Sequence, residues 1–134
     1  MPRAKRRLGQ HFLTDPRLLA RIADALELTP ADTVLEIGPG AGGLTARLLE
    51  RAGRVIAIEK DRDLIPFLRE RFPAVALKEG DALDLDWHAL VPPETPFLVT
   101  GNIPYNITSP LIDQALRPPR PRRIVFLVQK EVAD

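Results

Sequence analysis

A chain of 134 residues, 45% hydrophobic and 28% charged, has the length and balance of one globular domain. Its apolar runs are too short to cross a bilayer, and its basic N-terminus lacks a signal peptide's apolar core and cleavage site, so the cytoplasm is the expected compartment. The absence of cysteine excludes disulfides, cysteine-ligated zinc and thiol chemistry.

A net charge of +1 says little about partners, but its distribution says more. Arg3, Lys5, Arg6 and Arg7 crowd the start, and Arg117, Arg120, Arg122 and Arg123 crowd a proline-rich stretch near the end. Each cluster can neutralise phosphates; a solvated tail and an ordinary charged loop are the alternatives. Fifteen arginines against four lysines, with fourteen prolines, fit either a thermophile or a GC-rich genome.

In chain order, Asp15-Pro16 supplies an N-cap and a first-turn proline for a helix whose Leu18, Leu19, Ile22, Ala23 and Leu26 share a face. Residues 34–37 form an apolar run that ends in glycines, the pattern of a buried strand. Leu44, Leu48 and Leu49 mark a second helix, which Gly53 is expected to stop. Residues 55–58 predict a second strand. Asp61 or Asp63 can cap a helix carrying Leu64, Leu68 and Phe72, with Pro66 tolerable only in its first turn. Strands are expected at 75–77, 97–100 and 124–128, with a helix opening at Ser109-Pro110 between the last two. Strands alternating with helices predict parallel pairing and a doubly wound α/β sheet. Ligands of such sheets bind beyond the carboxyl ends of the strands, where the strand order switches.

The unusual residues fall at those ends. The first strand runs into Glu36-Ile37-Gly38-Pro39-Gly40-Ala41-Gly42-Gly43, where glycine permits a tight turn and close approach of a ligand, and the following helix offers free N–H groups. Gly38, Gly40 and Gly43 also satisfy the dinucleotide pattern G-x-G-x-x-G, so this loop leaves NAD and S-adenosylmethionine unresolved, with a structural glycine turn as the plain alternative. Glu59, about twenty residues on, can accept hydrogen bonds from both ribose hydroxyls, or be a solvent-facing charge. Asp81, in Gly80-Asp81-Ala82, can accept from an adenine amino group, or belong to an ordinary turn.

Gly101-Asn102-Ile103-Pro104-Tyr105-Asn106 ends the fourth strand. The lone pair of an adenine N6 amine is delocalised into the ring, and two acceptors aimed at its N–H bonds would localise it. The Asn102 side-chain oxygen and the carbonyl of residue 103 can supply them. Pro104 holds residue 103 extended and so orients that carbonyl. Tyr105 offers a face on which an extruded base can stack. Catalysis would then be mainly positioning and electrostatics. Neither His11 nor His88 lies in this loop, so no general base is identifiable. A β-turn with a buried tyrosine is the competing interpretation.

In combination and order, these motifs resemble the small-subunit (16S) ribosomal RNA adenine N6-dimethyltransferases, in their bacterial branch. Gly9-Gln10-His11-Phe12-Leu13 resembles the family's N-terminal cofactor motif, residues 36–45 its glycine loop, Glu59 its ribose-binding acid, Gly80-Asp81-Ala82 its adenine-contacting turn, and Asn102-Ile103-Pro104-Tyr105 its catalytic tetrapeptide. Asn106-Ile107-Thr108-Ser109-Pro110 and Gln129-Lys130-Glu131-Val132 resemble the 16S branch rather than the erythromycin-resistance branch. The resemblance implies the class I methyltransferase fold and S-adenosylmethionine as cofactor, contacted by His11, Leu13, Gly38, Gly40, Glu59, Asp81 and Asn102. It implies Asn102, Pro104 and Tyr105 as catalytic residues and 16S rRNA, in the small subunit or its precursor, as partner; neither metal nor membrane enters.

On this reading, residues 1–14 are a basic arm with the N-terminal cofactor motif, the arm lying near RNA. Residues 15–134 are the N-terminal part of the methyltransferase domain. The later strands, a second base-stacking aromatic and a C-terminal helical RNA-binding domain are expected to be missing, leaving a fragment that binds cofactor weakly and methylates rRNA poorly. Three rivals stand beside it: an NAD-dependent oxidoreductase, a non-catalytic RNA-binding or assembly factor, and a DNA adenine methyltransferase, in which Asp is expected more often at position 102.

Overall fold

The structure, a computed structural model, describes residues 15–129. The basic arm, His11 and Leu13, and the stretch from Lys130 onward lie outside the described residues.

Helix α1 (Pro16–Leu26) begins as its sequence predicts: Asp15 caps it by accepting from the Arg17 N–H at 3.0 Å, and Pro16 fills the first turn. Leu19, Ile22, Ala23 and Leu26 form its buried face, and Glu27, left-handed at φ 52°, ends it. Then follow β1 (Thr33–Ile37), α2 (Gly43–Arg51), β2 (Arg54–Glu59), α3 (Ile65–Arg71), β3 (Ala76–Glu79), α4 (Trp87–Leu90), β4 (Phe97–Pro104), a 3-10 turn (Tyr105–Ile107), α5 (Thr108–Ala115) and β5 (Arg123–Gln129).

The strands form one parallel sheet in the order β3-β2-β1-β4-β5. The chain winds outward from β1 to β3, crosses back to β4 beside β1, and winds outward again, so the order reverses between β1 and β4. This is the expected doubly wound α/β architecture. Side chains alternate across each strand and build two cores. Val34, Val55 and Leu98 face α1 and α2, packing with Leu19, Ile22, Leu26, Leu44 and Leu48. Leu35, Ile37, Ile56, Ile58, Val99 and Ile103 face the other way, onto Trp87, Val91, Leu111 and Ala115.

Local details depart from the sequence expectations. Gly53 does not stop α2 in a left-handed cap; Ala52 ends it in an extended conformation. Gly53 is there because a side chain would collide with the Pro30 carbonyl, while its N–H donates to the Asp32 carbonyl at 2.9 Å. Neither Asp61 nor Asp63 caps α3, whose N-cap is Leu64; Asp61 instead accepts from the Asp63 N–H, and Pro66 does sit in the first turn. Strand β3 begins at Ala76 rather than 75. The four-residue α4, held by the Asp86 cap and by Trp87 donating its indole N–H to the Ala82 carbonyl at 2.9 Å, carries too little periodicity to be seen in sequence. Strand β4 runs through Asn102 to Pro104, paired beyond Gly101 with β5 and no longer with β1.

Candidate functional site

The strand-end motifs meet at one level of the sheet. Ile37 pairs with Ile58 on one side and Gly101 on the other. The next residue, Gly38, therefore lies between Glu59 and Asn102; its N–H donates to the Ile58 carbonyl at 2.8 Å. The neighbouring ladder extends likewise, Gly80 donating to the Glu59 carbonyl at 2.8 Å. Gly101 permits the close approach of β1 and β4, because a Cβ there would crowd the Ile37 carbonyl and side chain. Gly38 and Gly40 turn the loop through left-handed conformations at φ 68° and 59°, which glycine adopts without strain.

Two buried acids underlie that loop. Glu59 accepts from the Gly40 N–H through Oε1 at 3.0 Å and from the Asp61 N–H through Oε2 at 2.9 Å. It is therefore no solvent-facing charge. Glu36, on the same face of the sheet, accepts from the Thr45 hydroxyl at 2.5 Å. Burial pushes the Glu36 carboxyl up to about 7; the Thr45 hydrogen bond opposes that shift and nearby Glu59 adds to it. Glu36 and Thr45 bound the glycine-loop segment 36–45, where sequence alone gives neither of them a role. An acid in an otherwise apolar strand run was the available signal.

Asp81 ends the next strand connection. Its Oδ1 accepts from the Leu83 N–H at 2.9 Å, making the turn, and its Oδ2 lies 3.4 Å from the Lys60 ammonium. One oxygen thus makes the turn while the other faces a lysine.

Asn102 has the same sheet face as Glu36 and Glu59, by strand alternation and register. Its side-chain Oδ1 is buried without a hydrogen-bond partner among the described residues. Such an acceptor costs about 1–3 kcal/mol unless something donates to it. Ile103, 1% exposed, points into the opposite core and anchors the strand. Pro104 is extended at φ −59°, ψ 138°, and its carbonyl accepts from the Thr108 hydroxyl at 3.2 Å, closing the turn over Tyr105–Ile107. Tyr105, the only tyrosine, is 50% exposed, which removes the buried-tyrosine interpretation.

The arginine-rich stretch lies elsewhere. Arg122 pairs with Asp32 and Arg123 with Glu27, both at 3.1 Å, at the amino end of the sheet. Both are ion-paired within the chain, Arg122 just before β5 and Arg123 at its first residue. His88 is also remote from Asn102, bonding the Pro119 carbonyl and meeting the Phe97 ring edge-on at 6.2 Å. Among the described residues no cluster of three or more His, Cys, Asp or Glu could hold a metal ion, and no helix is long and apolar enough to cross a membrane.

The carboxyl end of the sheet thus brings together a glycine loop, the carboxylates of Glu59 and Asp81 and a buried acceptor unsatisfied among the described residues. That set fits an adenosine-bearing ligand, with its vicinal hydroxyls and amino group, beside a second molecule that brings a further N–H donor.

A family model described as "Ribosomal RNA adenine dimethylase" matches residues 1–134. The chain is 48% identical over 144 residues to the ribosomal RNA small subunit methyltransferase A of Synechococcus elongatus, covering 98% of this chain and 52% of that protein. Among solved structures it is similar to the 23S rRNA methyltransferase ErmE (39% identity, TM-score 0.74, 86% of this chain and 47% of that one). It is also similar to a dimethyladenosine transferase from Plasmodium falciparum (34% identity, TM-score 0.70, 84% and 42%). The chain spans about half the length of the curated relatives it matches.

Proposed function

The chain belongs to the ribosomal RNA adenine dimethylase family, and on that premise we propose that it serves the transfer of methyl groups from S-adenosylmethionine to N6 of two adjacent adenines near the 3′ end of 16S rRNA, in the small ribosomal subunit or its precursor. The observation that carries this reading is Asn102 Oδ1, a buried acceptor without a hydrogen-bond partner among the described residues, at the switch point of a class I methyltransferase sheet. An acceptor held ready there suits an amine whose N–H bonds must be engaged before its nitrogen can act as a nucleophile.

The work of the chain is binding and orientation. Glu59 would hold the cofactor's ribose hydroxyls, Asp81 its adenine amino group, and Gly38 and Gly40 would let it approach the backbone. His11 and Leu13 join this set by family resemblance. When bound, S-adenosylmethionine supplies an electrophilic methyl group on a sulfonium centre. In the first transfer Asn102 Oδ1 and the carbonyl of residue 103 accept from the two N–H bonds of the target amine and draw its lone pair out of the ring; in the second a single N–H remains for one of them. Pro104 keeps that carbonyl oriented, and the half-exposed Tyr105 ring stacks on the extruded base. The amine's surplus proton is given up after transfer, to water on this reading; His88, bonded to the Pro119 carbonyl, is not placed to take it. This reading puts the activity in the cytoplasm, with the ribosome.

Transfer of labelled methyl groups to 16S rRNA or immature 30S subunits, with N6,N6-dimethyladenosine identified in digests, is the direct test. Asn102→Ala should reduce transfer by roughly a hundredfold or more while sparing RNA binding. Undiminished transfer by that variant would overturn the assignment. Thermal stabilisation by NADH but not by S-adenosylhomocysteine would favour the oxidoreductase instead, and methylation of DNA in preference to rRNA would favour a DNA enzyme.

A further inference from the structure

The buried Glu36 has no part in the chemistry above, although a carboxyl at 1% exposure is expensive to keep in a β-strand. Its hydrogen bond from the Thr45 hydroxyl, at 2.5 Å, joins the end of β1 to the first turn of α2. Those are the two elements that the glycine loop connects. The middle of the same loop is held from the neighbouring strand, where Glu59 accepts from the Gly40 N–H. Glu36 faces Ala57 in the register, two residues before Glu59, so both acids lie under the loop on one face.

We propose that Glu36 and Thr45 are positioning residues for the cofactor loop, a buried latch that sets the start of α2 against β1 and so presents the Gly40 N–H to Glu59. The latch acts through the loop and never touches the reacting atoms. In its functional consequence it rests on the reading of this loop and Glu59 as the cofactor site; in its effect on the loop itself it does not.

A merely structural hydrogen bond and a positioning one respond differently when both partners become apolar. Removing one partner strands the other and lowers stability, whereas replacing both with apolar groups of similar shape restores stability without restoring the link. Thr45→Val, Thr45→Ser and the double variant Glu36→Leu/Thr45→Val are therefore compared by thermal melting, by hydrogen exchange of the 38–43 amides without ligand, and by affinity for S-adenosylhomocysteine. Thr45→Val should speed exchange at Gly40 and weaken binding about tenfold, the value of one net hydrogen bond at the upper end of its range. Thr45→Ser, which keeps the hydroxyl, should restore both. The double variant should melt near the parent temperature yet keep the fast exchange and weak binding. If it instead regains parental exchange and affinity together with its stability, the pair is core filling and the inference is overturned. If loop exchange responds as expected while the parent protein binds no S-adenosylhomocysteine, the latch stands and the cofactor reading falls.

Discussion

Glu36 has lost its water, and this desolvation, more than the opposing Thr45 hydroxyl or the nearby Glu59, raises its carboxyl from 4.5 to about 7. The folded form therefore holds a proton that the unfolded chain releases between those two values. The resulting stability is fully present below pH 4.5 and is lost as pH rises through 7. Glu36→Gln has no proton to lose. The difference in melting temperature between the two proteins should shift in favour of Glu36→Gln as pH increases from 5 to about 8, and a constant difference across that range would refute the account. Glu59 differs in having both oxygens committed to backbone amides. Glu59→Gln turns an amide NH₂ toward one of those N–H donors, so S-adenosylhomocysteine affinity, read by calorimetry, should fall about tenfold or more. Sequence pointed to Glu59 through its spacing from the glycines, but spacing could not reveal that the same carboxylate also tethers Gly40. That tether depends on two strands meeting, and no local pattern encodes it.

At the scale of elements, the connection from β1 to α2 depends on small residues for two separate reasons. Gly42 has φ +90°, and any side chain there would drive into the Phe72 ring at the end of α3. Gly42→Ala should therefore cost about 1–3 kcal/mol in chemical denaturation, with Phe72→Leu in the same chain recovering part of it. A loss below a few tenths would mean that α3 can move aside. The apolar runs of β1, β2 and β5 and the face of α1 were legible because burial on two sides, or on one, leaves a periodic trace. Strand β4 was read too short because Gly101 and Pro104 resemble turn residues, whereas pairing with β5 carries the strand past both. That extension matters, since it puts Asn102 on a rigid strand rather than in a loop. Gly53 was misread for the converse reason: a glycine after a helix suggests a cap, and only the Pro30 carbonyl beside it shows the real constraint.

At the scale of the whole molecule, the two ends of the sheet carry different groups among the described residues. The carboxyl end holds the candidate site, while the amino end holds Arg122 on Asp32, whose second oxygen also accepts from the Thr29 N–H, and Arg123 on Glu27. Arg122→Ala should lower stability by about 1 kcal/mol and leave the salt dependence of rRNA binding unchanged; a shallower salt slope would show that this arginine reaches phosphate after all. The order of the strands and of every helix but α4, the parallel sheet, and the candidate residues at its strand ends were determined by the sequence alone, because buried strands, helix faces and glycine turns leave signatures within a few residues. Tertiary structure decided what those residues do to one another. It brought Gly38 between Glu59 and Asn102, left Asn102 Oδ1 buried without a described partner, and turned half the arginine cluster into ion pairs. Burial and partnership are properties of contacts between segments far apart in the chain, and only the folded sheet creates them.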